Sequence, residues 1–146
     1  MIEYIEGNIF RAEVQTLVNP INTVGVMGAG LAKKFAQMYP NMYIIYKEIS
    51  HAKQLRIGKL WLYEATDVDW VLNFPTKRDW RQPSMLGYIE SGLIAFVNIY
   101  KAWGITSIAF PQLGCGNGEL KWKDVKPLME NYLNDLEIPI EIYIFD

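Results

Sequence analysis

Residues 19–31 read NPINTVGVMGAGL, and both the predicted fold and the predicted site start from this stretch. A β-like run at residues 16–19 leads into it, and apolar residues at helical spacing follow over residues 31–39. Gly25, Gly28 and Gly30 have G-x-x-G-x-G spacing. Glycine lets backbone N–H groups approach a ligand, and the following helix N-terminus adds free donors. The stretch is typical of a phosphate or diphosphate loop, or of a turn that only joins a strand to a helix.

The glycine spacing excludes two common phosphate motifs. Gly30 is followed by Leu31 and Ala32, whereas a Walker A loop needs Lys and then Ser or Thr. The dinucleotide fingerprint has its glycines in the reverse order, G-x-G-x-x-G. The sequence therefore predicts neither of these phosphate sites.

A second glycine-rich segment, PQLGCGNG at residues 111–118, follows a predicted strand over residues 105–110. The carboxyl ends of parallel strands share one edge of a sheet, and ligands of α/β proteins bind there. We call residues 25–30 loop 1 and residues 111–118 loop 2. The two loops are predicted to close on one extended anionic ligand, such as a diphosphate between two sugars.

Hydrophobic periodicity predicts alternating strands and helices. The predicted strands are residues 1–5, 16–19, 60–63, 70–74, 105–110 and 140–145, and the predicted helices are residues 31–39, 41–52, 85–101 and 122–136. Residues 75–83 lie between prolines and are predicted to form a loop, and Ser84 is the predicted N-cap of the third helix. The alternation predicts one domain over residues 1–146, a three-layer α/β/α sandwich with a mostly parallel mixed sheet.

The bulk composition restricts the class of protein. The net charge of the 146 residues is −2, which argues against nucleic-acid binding by a broad basic face. The single Cys115 cannot form an internal disulfide, and residues 1–4 lack the charge and apolar run of a signal peptide. No apolar run approaches the length of a membrane span. We expect a soluble protein of the cytoplasm that does not bind a membrane.

Few side chains are candidates for catalysis. His51 is the only histidine, and its polar neighbours predict an exposed helix position. One His and one Cys cannot hold zinc, so no metal or other cofactor is expected. Cys115 has no visible base as a partner and is predicted to be a small packing residue.

Asn19 ends the second predicted strand, and Asn22 lies between that strand and loop 1. An asparagine side chain can cap a turn, or it can orient a ribose hydroxyl, because its amide both donates and accepts hydrogen bonds. Turn capping is the more typical role for Asn19, whereas both roles remain open for Asn22.

The segment FPTKRDWR at residues 74–81 reaches the same predicted sheet edge. A lysine amine, with an ordinary pKa of about 10.4, becomes nucleophilic when a neighbouring cation or partial desolvation favours its neutral form. Lys77 is thus a candidate for attack on an anomeric carbon, or an ordinary solvated lysine. Trp80 could stack on a base of a single DNA strand while Arg78 and Arg81 meet its phosphates, or all three are ordinary surface residues.

GNI at residues 7–9, LVNPIN at residues 17–22 and the two glycine loops resemble the macro domain family of ADP-ribose-binding modules, over nearly the whole chain. Within that family, residues 18–28 and 73–81 resemble the DarG branch, antitoxins that remove the ADP-ribose that DarT attaches to thymidine in single-stranded DNA. The resemblance implies DNA ADP-ribosyl glycohydrolase activity, with ADP-ribose and ADP-ribosylated single-stranded DNA as ligands and a DarT-like toxin as a partner. Two alternatives remain: a reader that binds ADP-ribose without chemistry, and a hydrolase of O-acetyl-ADP-ribose or of ADP-ribosylated protein carboxylates.

The resemblance also implies a role for individual residues. Asn8 and Ile9 would meet the adenine, and many members have Asp in place of Asn8, which implies altered or water-mediated recognition of the base. Asn22 would orient the distal ribose, and Lys77 would attack its anomeric carbon or assist its cleavage. The other residues implied to bind ADP-ribose are Asn19, Thr23, Gly25, Val26, Met27, Gly28, Gly30, Thr76, Pro111, Leu113, Gly114, Cys115, Gly116, Asn117 and Gly118.

The second catalytic group differs from that of a related eukaryotic branch. That branch pairs the catalytic lysine with an Asp in loop 2, and the matching position here is Gly118, with Glu119 beside it. The departure leaves a mechanism with a single lysine as an alternative.

Overall fold

A six-stranded sheet runs through the protein, whose computed structural model describes residues 1–144. The strands are β1 (Ile2–Glu6), β2 (Thr16–Asn22), β3 (Trp61–Glu64), β4 (Trp70–Lys77), β5 (Ile108–Phe110) and β6 (Ile140–Ile144). Their order across the sheet is β1-β6-β5-β2-β4-β3. The pair β3–β4 is antiparallel and the other pairs are parallel, so the prediction of a mostly parallel mixed sheet is confirmed.

Four helices cover this sheet. They are α1 (Gly30–Met38), α2 (Pro40–His51), α3 (Leu86–Ile99) and α4 (Trp122–Leu133), and a short 3-10 helix, Ile9–Arg11, follows β1. None of the helices in residues 1–144 is long and apolar enough to cross a membrane.

Two hydrophobic clusters separate the helices into two layers. Tyr46 of α2 belongs to one cluster, and Leu93 of α3 and Met129 of α4 belong to the other. Leu17 and Val18 are neighbours in β2 and belong to different clusters. Because successive side chains of a strand point to opposite faces, the clusters lie on opposite faces of the sheet. The predicted three-layer sandwich is confirmed.

Strands β2 and β4 both continue through a proline. β4 reaches Lys77, so the prediction of a loop over residues 75–83 is wrong for its first three positions. Proline has no N–H to donate and is tolerated in a strand where one side has no partner. β3 pairs with β4 only as far as Asn73, and β5 pairs only with the first two residues of β2. Pro20 and Pro75 therefore lie where β2 and β4 pair only with each other, and this leaves open space beside the strand ends.

Ser84 connects the end of β4 to loop 2 instead of capping a helix. The prediction that Ser84 is the N-cap of the third helix is therefore wrong. The N-cap of α3 is Met85, which has no side-chain capping bond. Ser84 is buried, its hydroxyl donates to the carbonyl oxygen of Thr76, and its N–H donates to that of Gly118 at 2.9 Å. Two tertiary hydrogen bonds thus replace the local one and hold loop 2 against the end of β4.

Three other boundaries lie three residues from their predicted positions. β2 ends at Asn22 instead of residue 19, where the parallel pairing with β4 continues. β5 begins at Ile108 instead of residue 105, because the N–H of Ile105 donates to the carbonyl of Tyr100 in the turn after α3, at 3.0 Å. α4 ends at Leu133 instead of residue 136, where the chain turns more tightly and the N–H of Leu136 donates to Leu133 at 3.2 Å. Phe145, the last residue of the predicted final strand, lies outside the described residues.

Candidate functional site

A cleft of about 1160 Å³ opens at the carboxyl ends of β2, β4 and β5. Ligands of open α/β sheets bind at this edge, and the volume exceeds the roughly 300–1,000 Å³ of most small-molecule pockets. Its walls come from β2, loop 1, α1, the end of β4 and loop 2. The lining residues are Pro20, Ile21, Asn22, Val26, Gly28, Ala29, Gly30, Leu31, Ala32, Lys33, Lys34, Gln37, Thr76, Lys77, Trp80, Pro111, Gln112, Gly114, Gly116, Asn117 and Gly118.

The charge of the cleft is opposite to that of the whole chain. Lys33, Lys34 and Lys77 line it, and no Asp or Glu is among the described lining residues. The net charge of the chain is −2. A concave surface of one sign attracts ligands of the other sign, so the cleft favours an anion.

Loop 1 is folded around the side chain of Asn22, the last residue of β2. Its Oδ1 accepts hydrogen bonds from the N–H groups of Val24 at 3.2 Å and Val26 at 3.3 Å, and its Nδ2 donates to the carbonyl of Val26 at 2.6 Å. An amide nitrogen carries two hydrogens, so one N–H of Asn22 remains for a ligand in the cleft. The structure shows the turn-capping role, and the orientation of a ribose stays a prediction.

The buried side chain of Tyr46 in α2 contacts Asn22 and supports its orientation. Its hydroxyl contacts both the backbone carbonyl oxygen of Asn22, at 2.7 Å, and its Oδ1, at 2.8 Å. Burial raises the pKa of Tyr46, which keeps the hydroxyl protonated and able to donate. The side chain of Asn22 is therefore held in one orientation by its own loop and by α2.

We expect Tyr46→Phe to lower the free energy of unfolding by about 1–2 kcal/mol, because the buried oxygens of Asn22 lose a donor. Urea denaturation checks this. Tyr43→Phe is the matched control on the same helix, since the Tyr43 hydroxyl makes no hydrogen bond to any described residue, and it should change stability by less than about 0.5 kcal/mol. If the free energy of unfolding fell equally in the two variants, the hydrogen bonds of Tyr46 to Asn22 would not stabilise the protein, and the prediction would be wrong.

Loop 2 requires glycine for close packing of its backbone. Gly114 has a φ of +73°, and a Cβ there would lie 2.7 Å from Leu120 Cδ1. A Cβ on Gly118 would overlap the carbonyl oxygen of Gly114. The two loops also approach each other, since a Cβ on Gly30 would lie 3.0 Å from Asn117 Nδ2. Glycine at these positions keeps the loop backbones close together around the cleft.

Lys77 is the last residue of β4 and lines the cleft. It is half-buried, and its Nζ makes a long hydrogen bond of 3.4 Å to the carbonyl oxygen of Trp80. β2 and β4 place Lys77 directly beside Asn22 in the strand register. The two side chains implied to be catalytic therefore lie at neighbouring positions of the sheet. Glu119, the alternative partner, is exposed and is not among the lining residues.

Of the three side chains predicted to contact DNA, only Trp80 lines the cleft, and 52% of it is exposed. Arg81 forms an ion pair with Asp79 at 2.7 Å. Hydrogen bonds from Arg81 hold the pKa of the Asp79 carboxyl down at about 2. The Arg78 guanidinium lies over the ring of Tyr88, 5.2 Å from its centroid. The Arg81 guanidinium also lies 5.6 Å from the centroid of the Trp80 ring, so both arginines contact neighbouring side chains, although neither lines the cleft.

The residues implied to bind ADP-ribose divide into two groups. Those that line the cleft are Asn22, Val26, Gly28, Gly30, Thr76, Pro111, Gly114, Gly116, Asn117 and Gly118, and those that do not are Asn8, Ile9, Asn19, Thr23, Gly25, Met27, Leu113 and Cys115. Asn19 is fully buried, and its Nδ2 donates to Asn73 Oδ1 at 3.0 Å. The structure shows that Asn19 connects β2 to β4, and its contact with ADP-ribose stays a prediction.

Other members of the second group also support the scaffold. Asn8 accepts a hydrogen bond from the N–H of Phe10 at 3.0 Å and caps the 3-10 helix, and Ile9 is buried in the core. Thr23 donates from its hydroxyl to the carbonyl of Arg78 at 2.9 Å, which connects the residues between β2 and loop 1 to the segment after β4. Burial raises the pKa of Cys115 to about 11, so its thiol stays protonated at neutral pH.

Sequence reasoning missed the contribution of α1 to the cleft. Lys33, Lys34 and Gln37 are exposed and line it. The available signal was the pair of lysines in the first turns of the helix that follows loop 1. A helical pattern alone does not tell which exposed residues face a cleft, because that depends on what packs across from the helix.

Comparison with known proteins decides the family. The family model of the macro domain matches residues 18–129, which contain both glycine loops and Lys77. The chain belongs to the macro domain family. The macro domain of Mycobacterium tuberculosis DarG has a similar structure, with a TM-score of 0.94 and 39% sequence identity over 98% of this chain and 97% of that chain.

Two further relatives resemble this macro domain. Thermosipho africanus DarTG, solved in complex with ADP-ribose, has a TM-score of 0.92 and 43% identity, over 98% of this chain and 41% of that chain. A DNA ADP-ribosyl glycohydrolase of Mycobacterium tuberculosis is 42% identical over 86% of this chain and 37% of its own length. The chain spans roughly two fifths of the length of the curated DNA ADP-ribosyl glycohydrolases that it matches.

Proposed function

We propose that this macro domain is a DNA ADP-ribosyl glycohydrolase, which releases ADP-ribose from thymidine in single-stranded DNA. The observation that carries the proposal is the position of Lys77, whose side chain lines an anion-favouring cleft beside Asn22. Similarity to the named glycohydrolase, at 42% identity, supports the reaction. Similarity to a protein solved with ADP-ribose, at 43% identity, supports the ligand.

The glycine loops and α1 would hold the diphosphate of ADP-ribose. Gly28 and Gly30 of loop 1 and Gly116 and Gly118 of loop 2 line the cleft. The N-cap of α1, Ala29, makes no side-chain capping bond, so the first N–H groups of the helix are left for a ligand. Backbone donors and the positive end of a helix are a typical phosphate site.

Lys77 would supply the nucleophile. Its neutral amine attacks the anomeric carbon of the distal ribose, and the bond from that carbon to the thymine nitrogen breaks with its electron pair on the nitrogen. The proton that the amine loses goes to the thymine. Water then adds to the anomeric carbon, the lysine amine leaves, and free ADP-ribose and unmodified thymidine result. The remaining N–H of Asn22 would bond a ribose hydroxyl and orient the sugar for this attack.

A DarT-like toxin is the proposed source of the modified thymidine, and the cytoplasm is the proposed compartment. The first proposal follows from the resemblance to DarG antitoxins, and the second follows from the sequence itself. A reducing compartment suits the single thiol of Cys115.

The test is release of ADP-ribose by the wild-type protein from an oligonucleotide with one ADP-ribosylated thymidine, compared with a protein ADP-ribosylated on glutamate. We expect release from the oligonucleotide and little from the protein. The reverse preference would favour the hydrolase of modified carboxylates. Absence of release from both, with ADP-ribose binding retained in calorimetry, would favour a reader, and absence of binding would reject all three functions.

A further inference from the structure

The cleft contains two basic side chains and one amide that the proposed chemistry does not use. Lys33, Lys34 and Gln37 line it from the exposed face of α1. With a rise of about 1.5 Å per residue, Gln37 lies about 10 Å along the helix from Gly30. The cleft therefore extends beyond the helix N-terminus and the glycine loops.

The charge on this part of α1 is not compensated. Within residues 1–144 the one ion pair found is that of Arg81 with Asp79, so Lys33 and Lys34 have no carboxylate partner there. No described lining residue is acidic. Two adjacent ammonium groups without a local counter-charge raise the positive potential of the cleft and favour an anion.

The two arginines predicted to contact phosphates already have partners. Arg81 is paired with Asp79 and lies 5.6 Å from the centroid of the Trp80 ring, and Arg78 lies over the ring of Tyr88. Neither arginine lines the cleft, whereas Trp80 lines it and is 52% exposed. An exposed indole ring in a cleft that also holds lysines is the combination with which proteins bind single strands.

We propose that Lys33 and Lys34, with Gln37, form a second binding surface for the backbone phosphates of the DNA strand beside the modified thymidine, while Trp80 stacks on a neighbouring base. This inference rests on the proposed function and deepens it. The proposed function assigns the diphosphate to the backbone donors of the loops, which leaves the lysines for phosphates that only a DNA substrate has. The surface makes modified DNA a better substrate than a modified nucleoside.

The test compares two substrates, ADP-ribosyl-thymidine as a nucleoside and a short oligonucleotide with that thymidine at its centre. The variant is Lys33→Ala with Lys34→Ala. The matched control is Lys101→Ala with Lys123→Ala, which removes the same charge from exposed positions outside the cleft. Thermal unfolding confirms that each variant is folded.

The wild type is expected to have a lower KM for the oligonucleotide than for the nucleoside. In the α1 variant, the oligonucleotide KM should rise roughly five- to tenfold, and the ratio of the two KM values should shrink. The salt dependence of the oligonucleotide KM should also weaken, by about 1.4 in log–log slope for two phosphate contacts. The control variant should keep the wild-type ratio and slope.

An unchanged oligonucleotide KM in the α1 variant would overturn the inference. An equal rise in both KM values, with the same loss of affinity for free ADP-ribose, would also overturn it, because the lysines would then hold the diphosphate. Absence of release by the wild type from both substrates rejects the proposed function instead. The surface is then judged by calorimetry, in which the α1 variant must lose more affinity for the modified oligonucleotide than for free ADP-ribose.

Discussion

Replacing Lys77 by alanine is expected to slow the release of ADP-ribose from modified DNA by roughly a thousandfold or more. Affinity for free ADP-ribose should change by less than about threefold, because the amine acts mainly in the transition state. Nζ of Lys77 makes one long hydrogen bond, 3.4 Å to the carbonyl of Trp80, so its loss should leave the fold intact. Single-turnover release from the modified oligonucleotide and calorimetry with ADP-ribose measure the two quantities.

Lys77→Arg is the matched control for charge. A guanidinium stays protonated at neutral pH and does not act as a nucleophile, so this variant should be as inactive as Lys77→Ala. When the ribose ring of the lysine adduct opens, the adduct becomes a Schiff base, so borohydride reduction during turnover should trap it as a stable amine in the wild type and not in Lys77→Arg. Activity in Lys77→Ala would contradict the mechanism and move the chemistry to Asn22, Glu119 or a bound water.

The largest expected effect on stability is that of Gly92→Ala in α3. A Cβ at Gly92 would overlap the Phe74 ring and lie 2.9 Å from its Cε2. Phe74 is fully buried in β4 and belongs to the core cluster of α3 and α4, so a shift of its ring disturbs core packing. Overpacking of this kind typically costs 1–3 kcal/mol, and we expect a loss of about 2–3 kcal/mol in the free energy of unfolding, measured by urea denaturation.

Gly87→Ala on the same helix separates packing from helix propensity. A Cβ at Gly87 would have no neighbour within 4 Å. Alanine is the better helix former and restricts the unfolded chain, so this variant should be as stable as the wild type or more stable by up to about 1 kcal/mol. If Gly92→Ala were as stable as Gly87→Ala, the close packing of α3 on Phe74 would be disproved.

The predicted fold is wrong at residues whose local conformational preference is overridden by a tertiary contact. Proline is unfavourable in a strand when the position of its missing N–H faces a neighbouring strand. β3 pairs with β4 only as far as Asn73, so Pro75 has no β3 partner, and the sequence alone does not reveal this. Ser84 has the preference of an N-cap, yet its hydroxyl and N–H bond to Thr76 and Gly118. In both cases the outcome depended on which strand or loop lay beside the residue.

By itself, the sequence determined the succession of strands and helices along the chain and the three layers. It also determined that both glycine loops and Lys77 lie at the carboxyl edge of the sheet. These features follow from the period of the apolar residues and the positions of the glycines, which are local properties of the chain. Only the tertiary structure decided which side chains meet. Tyr46 reaches Asn22 across 24 residues, and Asn19 reaches Asn73 across 54. Lys33 and Lys34 line the cleft because α1 lies beside loop 2 and the end of β4. The order of the strands across the sheet and the packing of the helices bring such distant segments together, and local periodicity specifies neither of these.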